Sequence, residues 1–87
     1  MSFPMGETVA TPGVLERVPR PEILKALSRQ AQGDWGVVCQ EDRRRNDLAL
    51  KQGWVLHSAY LAASGVKFWI ITEADRSATT VLLPEEY

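Results

Sequence analysis

The stretch Val66–Glu73 constrains this chain more than any other. Read at the two-residue period of a strand, Val66, Phe68, Ile70 and Thr72 fall on one face, and Lys67, Trp69, Ile71 and Glu73 on the other. Both faces are apolar near the middle, so the strand either lies inside a sheet covered on two sides or leaves an apolar patch. Ala63-Ser64-Gly65 and Ala74-Asp75-Arg76-Ser77 flank it and are short enough for hairpin turns. Beyond them, Trp54–Ala62 and Ala78–Leu83 are rich in aromatic and β-branched residues. The last third therefore reads as a three-stranded antiparallel meander.

The part before residue 54 has helical periodicity. Residues 1–6 read as a loose arm, and Glu7–Ala10 as a short strand. Thr11 is placed to cap a short helix with Pro12 in its first turn, which Pro19 ends. A longer helix is expected over Pro21–Gln32, with Ile23, Leu24, Leu27 and Ala31 as its apolar stripe and Gly33 closing it. Trp35, between two turn residues and Gly36, is expected to fold back onto the core. Glu41–Gln52, ending at Gly53, reads as a charged helix that covers an edge with Leu48, Ala49 and Leu50. The expected fold is one α+β domain over residues 1–87: two to three N-terminal helices packed on a C-terminal antiparallel meander of three strands, or four. Helices cover one face of that sheet. The face of Trp69 and Ile71 then calls for the N-terminal arm, a partner protein or a homodimer, or stays an exposed patch.

Composition excludes several functional classes. Ten Lys and Arg face eleven Asp and Glu, a formal charge of −1, so bulk charge does not attract nucleic acid. A single cysteine, Cys39, allows neither an internal disulfide nor a cysteine-based metal knuckle, and the lone His57 has no second imidazole to share a metal with. No metal or other cofactor is expected. No apolar run approaches the roughly 20 residues that span a bilayer, and Met1–Glu7 lacks the order of a signal peptide. The expectation is a cytoplasmic domain with no membrane contact.

Candidate chemistry is sparse, and no catalytic set is assigned. His57, Glu73 and Arg76 are the residues from which an acid–base site would have to be drawn, with Lys67, Ser58 and Tyr60 as helpers. Alternation puts Ser58 and Tyr60 on the face opposite His57, which works against convergence. Glu73, Asp75 and Arg76 also read simply as a polar turn. Cys39 reads as a small buried hydrophobe. Arg43, Arg44 and Arg45 offer contacts to phosphates, but Glu41, Asp42 and Asp47 flank them and no aromatic residue interleaves, as on a solvated helix face. From Glu73 to Tyr87 one arginine stands against four acids. The binding candidates are Trp69 and Ile71 on the sheet and Asp75, Arg76, Glu85, Glu86 and Tyr87 along an acidic rim.

Three stretches are familiar together: Val9-Ala10-Thr11-Pro12-Gly13, Gly33-Asp34-Trp35-Gly36, and the ending Trp69-Ile70-Ile71-Thr72-Glu73-Ala74-Asp75-Arg76-Ser77-Ala78-Thr79-Thr80-Val81-Leu82-Leu83-Pro84-Glu85-Glu86-Tyr87. Over nearly its whole length the chain resembles a family of small bacterial proteins carried by plasmids, phages and integrated elements and usually called plasmid-related. The resemblance implies a mobile-element setting and no particular reaction. Helices followed by a meander also look like the RelE-type toxins and the barnase–colicin–RelE group of small ribonucleases. Two functions follow as expectations. One is a non-enzymatic protein that binds a host or element protein, for instance to modulate host nucleic-acid defence. The alternative is a ribonuclease-type domain.

Overall fold

In a computed structural model, residues 5–87 are described, and β1 (Glu7–Ala10) opens the domain. Helices α1 (Pro12–Arg17), α2 (Arg20–Ala31) and α3 (Gln40–Gln52) follow. Strands β2 (Leu56–Leu61), β3 (Lys67–Thr72) and β4 (Ala78–Leu82) come next, and a 3₁₀ turn, Pro84–Glu86, closes the chain. The sheet has the order β1-β4-β3-β2.

This corrects the expected architecture. The β2–β3 and β3–β4 pairs are antiparallel, but β1 precedes the helices and lies parallel to β4, so the sheet is mixed. The cause is the free edge that a three-stranded meander leaves on β4. Backbone donors of the incoming chain fill it, with Glu7 N–H on the Ser77 carbonyl and Thr11 N–H on that of Val81, both at 3.0 Å. Gly6 makes the entry possible. Its φ is +65°, and a Cβ there would lie 2.3–2.4 Å from the carbonyl oxygens of Ser77 and Arg76. Of the arm expected over residues 1–6, residues 1–4 lie outside the described residues. The Met5 carbonyl accepts a hydrogen bond from Thr79 Oγ1 at 2.7 Å.

The registers divide the sheet into two unlike faces. One presents Leu56, Ser58 and Tyr60, then Phe68, Ile70 and Thr72, then Thr79 and Val81, and all eight are buried. Helices α1 and α2 cover it with Val14, Val18, Ile23 and Ala26. At its β2 end a smaller cluster joins Leu56 to Trp35 and Ala49. The buried positions of α2 are Ile23, Ala26 and Gln30; of the expected stripe Ile23, Leu24, Leu27 and Ala31, Leu27 packs partly buried against the core and Ala31 is half-buried, whereas Leu24, one helical step of about 100° from Ile23, is 65% exposed. In α3 the buried positions are Asn46 and Ala49, while Leu48 is exposed.

A polar cluster sits inside this otherwise apolar layer. Gln30 is fully buried and donates from Nε2 to Ser58 Oγ (2.9 Å) and the Ile70 carbonyl (3.0 Å). Its Oε1 accepts from Thr72 Oγ1 at 2.8 Å, and Thr72 in turn meets Thr79 Oγ1 at 2.9 Å. Every polar atom in the cluster has a partner, the condition under which buried polarity is tolerated.

The loop after α2 is fixed by a second network. Arg29 forms a two-pronged ion pair with Asp34 (2.8 and 3.3 Å) and lies over the Tyr60 ring. The pair holds the Asp34 carboxyl below the ordinary carboxylate range and raises the Arg29 guanidinium. Tyr60 donates its hydroxyl to the Asp34 carbonyl (2.8 Å), and burial pushes that phenol up to about 12. Trp35 is buried, as its turn setting suggests, and bonds Asp47 through its indole N–H.

Candidate functional site

The second sheet face carries His57, Ala59 and Leu61 from β2, Lys67, Trp69 and Ile71 from β3, Thr80 and Leu82 from β4, and Val9 from β1. Neither core cluster includes a residue of this face, although Ala59 and Leu82 within it are buried. Trp69 and Ile71 stay half-buried at its centre. The two-faced pattern of β3 thus resolves into one covered and one open face.

The open face deepens beside β2 into a groove of about 760 Å³. One wall is sheet: His57, Ala59, Lys67 and Trp69. The other is the approach to α3 and its first turns, with Val37, Val38 and Cys39, then Asp42 and Arg45. The His57 and Trp69 rings meet edge to face at 4.5 Å, and Tyr87 meets Trp69 the same way at 5.8 Å. Tyr87 is otherwise open to solvent, 84% exposed. His57 is an exposed residue, yet partial desolvation of its ring is the largest influence on it and lowers its pKa; Asp42 opposes this, and Arg45 and Lys67 add to it. His57 is therefore held toward the neutral form.

The β2 edge beside this groove is already occupied. Gly36 forms a parallel bridge with Ala59, through Val37 N–H to the Ala59 carbonyl (2.8 Å) and Ala59 N–H to the Trp35 carbonyl (3.2 Å). A side chain at Gly36 would put its Cβ 1.9 Å from the Ala59 oxygen. The Asn46 side chain pairs with the backbone of His57, two residues earlier along β2. Cys39, expected in the core, is exposed instead, because it stands at the extended N-cap of α3 and opens onto the groove.

The remaining candidates are dispersed. Ser58 and Tyr60 lie on the covered face, bound to Gln30 and Asp34, away from His57. Arg76 sits in the turn after β3 with φ +62°. Its Nη1 reaches the carbonyls of Trp54, Glu73 and Ala74 at 2.7–3.2 Å, and its Nη2 that of Ala49 at 3.2 Å. It thereby joins the β3–β4 turn to the C-terminus of α3. Trp54 belongs to this junction, with its N–H on the Ala49 carbonyl, so β2 begins at Leu56 and not at Trp54. Asp75 accepts from Ser77 N–H at 3.0 Å as an ordinary turn aspartate, and the Ser77 hydroxyl first and this N–H second lower its pKa.

The acidic rim does not form one surface. Glu85 pairs with Arg17 at 3.3 Å. Glu86 accepts from Thr11 Oγ1, Gly13 N–H and Leu83 N–H, contacts that lower its pKa and secure the start of α1. Thr11 itself accepts from Val14 N–H, the cap its sequence position suggests. Arg43, Arg44 and Arg45 are all exposed, and only Arg45 lines the groove.

No protein-family model, curated protein or solved structure matches the chain. Among the described residues no three His, Cys, Asp or Glu side chains gather as a metal would require, and no helix is long and apolar enough to cross a membrane.

Proposed function

We propose that this protein is a non-enzymatic interaction module of a bacterial mobile element, and that its open sheet face docks a host or element-encoded protein. The observation that carries this reading is the uncovered face itself, with half-buried Trp69 and Ile71 at its centre and a groove of Trp, Tyr, Arg and valine side chains beside them. Trp, Tyr and Arg are the side chains that most often anchor protein interfaces. An acid–base site finds less support. Arg76 meets Glu73 at its backbone carbonyl and is engaged with further carbonyls at the α3 junction, while the His57 ring lies against Trp69 on the open face.

The test places a photo-crosslinking amino acid at Ile71, with the same residue at exposed Leu24 on α2 as the control. In producing cells, Ile71 is expected to capture one defined protein, identified by mass spectrometry, which Leu24 does not capture and which Trp69→Ala abolishes. The reading fails if Ile71 captures nothing. It also fails if the purified protein cleaves RNA with an activity that His57→Ala removes.

A further inference from the structure

The groove has a chemical preference that specifies what docks in it. Arg45 and Lys67 stand on its opposite walls, and among the described residues neither side chain makes a hydrogen bond or ion pair. Asp42 is the one acid lining it. Between the cations run the aromatic wall of His57 and Trp69 and the exposed apolar side chains of Val37 and Val55, 48% and 47% accessible. The strand edge behind is occupied by residues 35–37 and Asn46, so a ligand cannot enter by extending the sheet at β2. It must bind through side chains.

The chain itself shows which side chain the wall accepts. Tyr87 follows Glu85 and Glu86 and lays its ring edge to face on Trp69. The two glutamates are held elsewhere, by Arg17 and by the start of α1, so Tyr87 alone reaches the groove. At 84% exposure it covers little of the wall and is readily displaced. We propose that the groove takes an extended acidic segment of the partner protein, whose aromatic side chain replaces Tyr87 on Trp69 while its carboxylates meet Arg45 and Lys67. This rests on the reading of the open face as a protein-docking surface. A nucleic-acid strand would supply rings and negative charge as well. However, two cations opposed by Asp42, in a chain of net charge −1, give little of the phosphate attraction such binding depends on.

The experiment is a titration of the ¹⁵N-labelled full chain, followed by NMR, with the capped peptide Glu-Asp-Phe-Glu-Asp. The comparison probes are the same peptide with Ser for Phe, the same peptide with Lys for every acid, and an octauridylate. The acidic aromatic peptide is expected to shift the amides of His57, Lys67, Trp69 and Tyr87. The Ser and Lys peptides should bind at least about tenfold more weakly, and so should the acidic peptide to Arg45→Glu/Lys67→Glu. Lys67→Gln, with the smaller change in charge, provides the same reading if the double variant does not fold. The proposal is overturned if the three peptides bind alike, if the shifts fall outside the groove, or if octauridylate binds these residues more tightly. A partner captured at Ile71 together with a silent peptide titration overturns the acidic assignment and leaves the docking reading standing. Absence of any capture at Ile71 removes both.

Discussion

The carboxamide of Asn46 pairs with the backbone of His57 at both ends, donating from Nδ2 to the carbonyl at 2.8 Å and accepting from the N–H at 3.0 Å. One side chain thus does what a neighbouring strand would do at that position. With residues 35–37 bridging Ala59, it closes an edge that would otherwise offer a template for association. It also fixes α3 against β2, and so sets the width of the groove between Arg45 and the His57–Trp69 wall.

Asn46→Ala should therefore destabilise the fold by about 1–3 kcal/mol, the usual cost of leaving buried polar groups unpaired. Asn46→Asp should cost more, because a carboxylate oxygen replaces the donor that faces the His57 carbonyl. Urea denaturation of the three proteins checks the order. Equal stability of Asn46→Asp and the parent would show that the pairing contributes nothing.

Gln30 is the hub of the buried polar cluster, and its removal strands several partners at once. Gln30→Leu keeps the approximate volume but leaves the Thr72 hydroxyl without its acceptor and removes one donor from the Ile70 carbonyl, which Ser58 Oγ still reaches at 3.3 Å. A loss of about 2–4 kcal/mol is expected, since each stranded buried group costs about 1–3 kcal/mol. A stabilised Gln30→Leu, measured by denaturant unfolding, would mean that the neighbours re-pair among themselves.

How far the sequence disclosed this arrangement depends on the range of the interactions involved. Thr11 and Pro12 announce α1, Gly53 marks the end of α3, and alternation separates His57 from Ser58 and Tyr60, because caps and strand faces are set within a few residues. The parallel placement of β1 on β4 was not legible. It depends on a register between Glu7 and Ala78, about 70 residues apart, that local pattern does not encode. Gln30 was missed for a related reason: a glutamine on an amphipathic helix reads as solvent-facing until the strand opposite is seen to present Ser58 and Thr72. The groove was half legible. Trp69 stood out as an apolar residue without cover, but only the packing of α3 brings Arg45 and Val37 alongside it.

Arg76 bears on stability first. Arg76→Ala removes a guanidinium that reaches four carbonyls and leaves an alanine in the left-handed region. The expected loss is about 2 kcal/mol, a fall in Tm of roughly 8–16 °C for a domain of this size. Arg76→Gly relieves the backbone and should recover part of it, about 1 kcal/mol. Differential scanning calorimetry decides the matter: if Arg76→Ala melts with the parent, these carbonyl contacts contribute nothing to stability.

The pH dependence of stability follows from His57. Its folded pKa lies below the ordinary 6.5, chiefly because the ring is desolvated. The unfolded chain therefore binds a proton more readily than the folded one. Stability from this residue is fully present above about pH 6.5 and is lost as pH falls from there through the folded pKa. The carboxyls with lowered pKa values, Asp34, Asp75 and Glu86, add losses of the same sign but in a more acidic range. Denaturation midpoints at about pH 7.5 and pH 5.5 isolate the histidine, the one side chain whose ordinary titration falls between them. The parent should be less stable at the lower pH, and His57→Gln should flatten the difference. An unchanged slope in His57→Gln would show that the ring against Trp69 ionises as freely as it does in water.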